Sequence, residues 1–145
     1  MRFRKIYSYG KILDNNLYET LQELDINCPF FKGCANEFKE NRDWWVITDN
    51  KGEIIAYCGS GYKANFAIFV RAWVKRNHRG KGLQKKMIKL RINAAKKRNC
   101  ESAITYITPD NPASGNSLIG CGFKLYTPEW EYAGKEMIYF IKNLY

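Results

Sequence analysis

The sequence lacks the features that mark several common protein classes. Its longest nearly unbroken apolar run, ANFAIFV, is too short to cross a bilayer. The first residues, MRFRKIYSYG, lack the apolar middle of a secretory signal. Five cysteines without CxxC spacing and a single histidine argue against a disulfide framework and against a structural zinc site. We therefore expect a soluble cytoplasmic protein with reduced cysteines and no metal.

Disorder is excluded by an apolar content of 46%. At 145 residues the chain is one domain long, so we expect residues 1–145 to share one domain.

Acidic residues are missing from one segment, and this sets the charge of the whole chain. Residues 1–70 carry nine bases and nine acids, residues 71–98 carry twelve bases and no acid, and residues 99–145 carry three bases and five acids. The segment charges are therefore 0, +12 and −2, which sum to the net charge of +10. An anion is the expected partner of residues 71–98.

Hydrophobic periodicity predicts a strand, a helix, three strands, a helix, a strand, a helix and two strands, with one large sheet in an α+β arrangement. The first helix is indicated by leucines at helical spacing from Leu13 to Leu24, and a short helix is predicted within CPFFKGCANEFKEN. A second amphipathic helix is predicted from Leu83 to Arg98, and a third begins at Pro112 with Asn111 as its cap.

The stretch NHRGKGLQ, Asn77–Gln84, puts two glycines immediately before the second helix. Gly80 and Gly82 allow a turn with positive φ, and amides of the first helical turn have no partner within the helix. Such amides at the positive end of a helix dipole bind phosphate. The stretch matches neither GxGxxG nor GxxxxGK[ST], and alone it fits a solvated turn equally well.

A second stretch, NPASGNSLIGCGF, follows one strand after that helix. Together the two stretches resemble the GNAT superfamily of N-acetyltransferases, over roughly Trp44 to Tyr126. The resemblance implies an α+β fold in which a mixed, mostly antiparallel sheet of six to seven strands is flanked by about four helices. It also implies that NFAIFVRAWV and SAITYIT splay apart around the pantetheine arm of acetyl-coenzyme A. The cofactor-binding residues implied are Trp73, Val74, Arg79, Gly80, Lys81, Gly82, Leu83, Gln84 and Asn111.

The usual acid and base of the family are absent. Leu118 stands where many members have a tyrosine that protonates the leaving thiolate, and Phe66–Arg76 contain no acid. Neutralising an amine of pKa about 10.4 at pH 7 costs about 4.6 kcal/mol, whereas protonating a thiolate of pKa about 8.5 needs only about 2 kcal/mol of help. The candidate catalytic residues are Tyr106, Ser114 and Ser117. Tyr106 fits a packed aromatic equally well, and the two serines are more simply interpreted as helix-packing residues.

Four acids, Glu53, Asp110, Glu129 and Glu131, are further candidates for a base acting through water, although each also fits a surface position. His78, beside the glycine loop, occupies a position that in the family is a packed aromatic.

The acceptor is expected to be a small amine, or a lysine or N-terminus of a protein. The stretch TPEWEYAG places Trp130 between Glu129 and Glu131, a composition suited to a cationic amine. Two alternatives remain open: a nucleic-acid-directed acyltransferase that uses residues 71–98, and a non-catalytic module that binds acetyl-coenzyme A. No membrane partner is expected, and the sequence is compatible with a monomer or a homodimer.

Overall fold

The computed structural model describes residues 1–28 and 41–145. The elements up to the middle of the chain are β1 (Arg2–Ser8), β2 (Lys11–Ile12), α1 (Asn15–Asn27), β3 (Arg42–Thr48), β4 (Ile54–Lys63) and β5 (Phe66–Val74). A 3₁₀ turn at Arg76–His78 precedes α2 (Leu83–Lys97), β6 (Ser102–Ile107), α3 (Pro112–Gly120), β7 (Lys124–Leu125) and β8 (Ile138–Asn143). The short helix predicted within CPFFKGCANEFKEN lies almost entirely outside the described residues.

The strands form one eight-stranded sheet in the order β2-β1-β3-β4-β5-β6-β8-β7. The ladders of β1 with β2 and β3, of β3 with β4, and of β8 with β6 and β7 are antiparallel, and β5 pairs with β6 in parallel. This confirms the α+β class and the mostly antiparallel sheet. Two of the eight strands are only two residues long, and the described residues contain three α-helices.

The chain divides into two compact units, which share strands β4 and β5. The first unit comprises Met1–Gly61 and Val70–Arg79, and the second comprises Tyr62–Phe69 and Gly80–Tyr145.

In the first unit, β3 and the start of β4 are buried almost throughout, in keeping with the apolar runs WWVIT and EIIAYC. Helix α1 begins at Asp14, whose side chain accepts a hydrogen bond from Leu17 N at 3.0 Å. The buried residues of α1 are Leu21 and Asp25, whereas Leu13 lies before the helix and is exposed. The predicted leucine face was therefore partly wrong, because the buried face of α1 includes a carboxylate.

The second unit has a contiguous core contributed by all of its helices and main strands. Its members include Phe69, Ile88, Leu118, Phe123 and Phe140. Helix α2 begins at Leu83 as predicted, and its buried residues include Arg91 and Ile92, whereas Leu90 and Ala94 are half-buried. The guanidinium carbon of Arg91 lies 4.5 Å from the centre of the Phe69 ring, and Arg91 Nε donates to the Met87 carbonyl. A cation–π contact of this kind lets an arginine occupy an apolar face.

No helix in the described residues is long and apolar enough to cross a membrane. The four cysteines that lie in the described ranges are all free thiols, and Cys28, Cys58 and Cys100 are buried. Burial raises the pKa of the Cys100 thiol, which favours its protonated, unreactive form.

Candidate functional site

The loop between the 3₁₀ turn and α2 has the backbone that its two glycines predict. Gly80 has φ +76° and Gly82 has φ +79°, both in the left-handed region. Gly82 is the N-cap of α2, and no side chain of the described residues caps the helix there. Amides of the first turn of α2 are thus available to an anion at the positive end of the helix dipole.

Both glycines are exposed, and a Cβ added at either would meet no atom within 4 Å. The glycines are therefore required for their backbone conformation, since the protein leaves space for a Cβ at either position.

The segment before the glycines is held by local bonds. Arg79 Nε donates to the Val74 carbonyl at 3.0 Å, and Lys75 N donates to the Ile55 carbonyl at 2.7 Å. Lys75 Nζ forms an ion pair with Glu53, so this predicted candidate base already has a cation beside it. The half-buried His78 lies in the 3₁₀ turn. Hydrogen bonds from the Glu53 and Lys51 amides lower the pKa of Asp49, and the charge of His78 contributes.

On the first turn of α2, Gln84 connects this helix to α3. Gln84 Nε2 donates to Ser114 Oγ at 3.1 Å, and the amide of Ser114 donates to Asn111 Oδ1 at 3.3 Å. Asn111 is therefore the N-cap of α3, as predicted, and Ser114 lies within the same network. Gln84 Oε1 is a buried acceptor with no donor among the described residues.

Acetyl-coenzyme A fits these groups. Its diphosphate matches the uncapped amides that follow two left-handed glycines. Lys81 is exposed, whereas the side chain of Leu83 is buried and leaves only its amide to a ligand. The Trp73 ring lies 5.7 Å from that of Tyr57.

The parallel ladder between β5 and β6 is short. It contains the pairs Phe66–Ser102, Ala67–Ala103 and Ile68–Ile104, although both strands continue beyond them. At the next register position Thr105 Oγ1 donates to the Phe69 carbonyl at 3.1 Å. A side-chain hydroxyl thus satisfies the carbonyl that follows the last ladder pair. The predicted splaying of these two strands stays a prediction.

Three candidate catalytic residues lie in the second unit. Tyr106 is half-buried on β6, with ring centres of Tyr132 and Tyr139 at 5.9 and 6.3 Å. Ser114 accepts the bond from Gln84, and Ser117 is half-buried on α3. Leu118, at the position of the family's usual acid, is 5% exposed and belongs to the core. The roles of these residues in catalysis stay predictions.

The loop between β7 and β8 presents the predicted acceptor residues. Trp130 is 77% exposed, and Glu129 and Glu131 are exposed beside it. Tyr139 anchors the loop, because its hydroxyl accepts from Ala133 N at 3.0 Å and donates to the Gly134 carbonyl at 2.7 Å.

Aromatic packing supports that anchor. The ring of Tyr132 lies 5.1 Å from that of Tyr139, and burial raises the pKa of Tyr132. Burial also raises the pKa of Tyr126, so both hydroxyls stay protonated at neutral pH. The acidic residues are thus displayed on a loop that the protein holds in place.

The twelve basic residues of the segment 71–98 differ in their exposure to solvent. Arg91 is buried, and Arg71 and Lys75 form ion pairs with acids outside the segment. The nine exposed bases are Arg76, Arg79, Lys81, Lys85, Lys86, Lys89, Lys96, Lys97 and Arg98. The nucleic-acid hypothesis rests on these nine and stays a prediction.

Asp25 is the residue that sequence reasoning missed. It is buried near the end of α1, where it binds Tyr57 and Arg71. Its only signal in the sequence is a carboxylate one helical turn after Leu21, on the face that the leucines mark as apolar.

No group of three or more His, Cys, Asp or Glu side chains within residues 1–28 and 41–145 could hold a metal ion.

Solved structures share this fold over nearly the whole chain. A GNAT-family acetyltransferase from Staphylococcus aureus Mu50 has a TM-score of 0.75 at 15% identity, covering 99% of this chain and 100% of that one. GCN5 from Tetrahymena has a TM-score of 0.72 at 19% identity, covering 100% and 98%. Spermidine N-acetyltransferase from Vibrio cholerae, solved with CoA and spermine, has a TM-score of 0.71 at 15% identity, covering 99% and 95%. At these identities the likeness shows a shared fold.

No curated protein matches this sequence. The sequence profile of the acetyltransferase (GNAT) family matches residues 11–123, which is most of the chain and includes both glycine-containing stretches. The chain therefore belongs to the acetyltransferase (GNAT) family and is an N-acetyltransferase.

Proposed function

We propose that this protein transfers the acetyl group of acetyl-coenzyme A to a primary amine by direct attack within a ternary complex. The observation that carries the proposal is the pair of left-handed glycines that opens α2 and leaves its first amides uncapped. The family match over residues 11–123 supports it independently.

In this proposal the residues from Arg79 to Gln84 hold the diphosphate, and Asn111 caps the helix that packs beside them through Ser114. The backbone of Trp73 and Val74 lies at the acyl end, as the family resemblance implies. The Val74 carbonyl accepts a bond from Arg79, which holds the backbone at this position.

The reaction needs three events. The amine nitrogen attacks the thioester carbonyl carbon, the carbon–sulfur bond breaks, and the surplus proton of the amine leaves as the sulfur gains one. Tyr106, Ser114 and Ser117 are the candidate groups for proton transfer or for positioning a water. An acceptor of low pKa, such as an α-amino group near 7.7 to 8.0, needs little help from a base.

The proposal predicts a specific product. The protein is incubated with acetyl-coenzyme A and a panel containing spermine, spermidine, free amino acids, and peptides with either a free lysine or a free N-terminus. Mass spectrometry should find an N-acetylated primary amine, in amounts equal to the free thiol released. The panel begins with polyamines because a structural neighbour was solved with spermine. Binding of acetyl-coenzyme A without thiol release for any amine would favour the non-catalytic module instead.

We further propose that Glu129, Trp130 and Glu131 recognise the positive charge of the acceptor. Both carboxylates are exposed, so each contributes about 0.5 to 1 kcal/mol to binding of a cationic amine. The double variant E129Q/E131Q should therefore raise the KM for the amine about tenfold, with the KM for acetyl-coenzyme A unchanged, in steady-state kinetics with the amine found in the product search. The matched control is E136Q, because Glu136 is exposed on the same loop. An equal change in both variants would remove the loop as the acceptor site.

A further inference from the structure

A buried cluster in the first unit joins a helix to two strands and has no role in the function proposed above. Asp25 on α1 is 6% exposed and Tyr57 on β4 is fully buried. Tyr57 donates its hydroxyl to Asp25 Oδ1 at 2.6 Å. Arg71 on β5 donates through Nε to the same oxygen at 3.1 Å and through Nη2 to Oδ2 at 3.5 Å.

The cluster is not arranged to exchange protons. The guanidinium of Arg71 compensates the carboxylate, and its side chain is itself only 6% exposed. Burial raises the pKa of Tyr57, so its hydroxyl stays protonated and donating. A buried ion pair of this kind adds little net stability over well-packed apolar groups. Its larger effect is to fix the conformation of the residues that it joins.

Arg71 has an unusual backbone for its position. Its φ is +50°, in the left-handed region, although it lies inside the nine-residue strand β5. A residue with a long side chain adopts this conformation only where its surroundings hold it there. The side chain of Arg71 is held by Asp25 on the neighbouring helix.

The residues that follow Arg71 in β5 are also held by contacts, one of them with a member of the Asp25 cluster. The ring of Trp73 lies 5.7 Å from that of Tyr57, the second partner of Asp25. The next residue, Val74, is fixed through its carbonyl by Arg79. The end of β5 thus follows a residue with a strained backbone. Two contacts hold this end in place, the ring of Trp73 against Tyr57 and the Val74 carbonyl with Arg79.

We propose that Asp25 is a positioning residue for acetyl transfer: through Arg71 and Tyr57 it fixes the left-handed backbone at Arg71 and thereby aims the backbone of Trp73 and Val74. This inference rests on the proposed function, in which those two residues meet the acyl end of the donor. Asp25 does not touch the reactants. Its loss should therefore lower kcat and leave donor binding at Gly80–Gln84 intact.

The test uses D25A with two double variants, D25A/R71G and D25A/R71A. Each double variant removes both members of the Asp25–Arg71 ion pair, so neither leaves one charge of that pair buried alone. The unfolding midpoint of each variant is measured to show that it is folded. The double variants differ in one respect, because glycine adopts a φ of +50° without strain and alanine does not. Transfer is followed by thiol release from acetyl-coenzyme A with hydroxylamine, a small amine that is neutral at pH 7. Binding of coenzyme A is measured by calorimetry.

We expect kcat to fall about tenfold or more in D25A and in D25A/R71A, since small displacements of reacting groups have effects of this size. The KM and Kd for the coenzyme should change less than about threefold, and D25A/R71G should recover about fivefold in kcat over D25A/R71A. A merely structural role would change the unfolding midpoint and leave the kcat of the folded double variants equal.

Equal kcat in the two double variants, or a wild-type kcat in D25A, would overturn this inference and leave the proposed function intact. If the wild-type protein binds no coenzyme A and releases no thiol, the proposed function fails as well.

Discussion

The double variant G80V/G82V is expected to lose coenzyme A binding by a factor of about one hundred or more. Valine in the left-handed region costs roughly 1–2 kcal/mol per residue, so the loop leaves its present conformation. The amides at the start of α2 then no longer point together, and each charge-assisted hydrogen bond to a phosphate is worth about 1.5–3 kcal/mol. Losing two of them gives about 3–6 kcal/mol, which is at least a hundredfold in Kd. Calorimetric titration with coenzyme A measures the effect.

The chain offers a closely matched control in G10V/G52V. Gly10 and Gly52 have φ values of +86° and +82°, and a Cβ at either would meet no atom within 4 Å, as at Gly80 and Gly82. Both double variants therefore impose the same kind of strain in open space. Wild-type affinity in the control with loss in G80V/G82V assigns the diphosphate to this loop. Normal affinity in G80V/G82V would exclude that assignment.

The substitution G59A is expected to destabilise the protein by about 3 kcal/mol through overpacking. Gly59 lies directly opposite Trp44 in the ladder between β4 and β3. A Cβ at Gly59 would come within 2.7 Å of Trp44 Cζ3 and within 2.9 Å of two further ring atoms. Trp44 is fully buried, so its ring has no open space to move into. Urea denaturation should show a lower midpoint with an unchanged slope.

Its control is G61A, two residues along the same strand and on the same face. A Cβ at Gly61 would lie 3.7 Å from the nearest atoms of Arg42, an ordinary van der Waals contact. Alanine also restricts the unfolded chain, so G61A should stay within about 1 kcal/mol of the wild type. If the two variants were equally unstable, loss of glycine from β4 rather than the Trp44 contact would be the cause.

Periodicity and end signals in the sequence predicted most elements, because they depend on local chemistry. Helix α2 begins at Leu83 behind Gly80 and Gly82, and α3 begins at Pro112 with Asn111 as its cap, both as predicted. The composition of SGYKA predicts a turn from Ser60 to Ala64, but β4 continues to Lys63, and the chain reverses at Ala64, whose φ is +52°.

The family and the backbone of the glycine loop could both be predicted from the sequence, since both depend on residues that are close together in the chain. The sequence also shows that the strand from Phe66 to Val74 carries no acid. That Asp25, 46 positions before Arg71, supplies a carboxylate to this strand is visible only in the folded chain. Hydrophobic spacing tells which face of a helix is buried, but the partner of a buried charge depends on which elements pack together. That is a property of long-range packing, which no local pattern encodes.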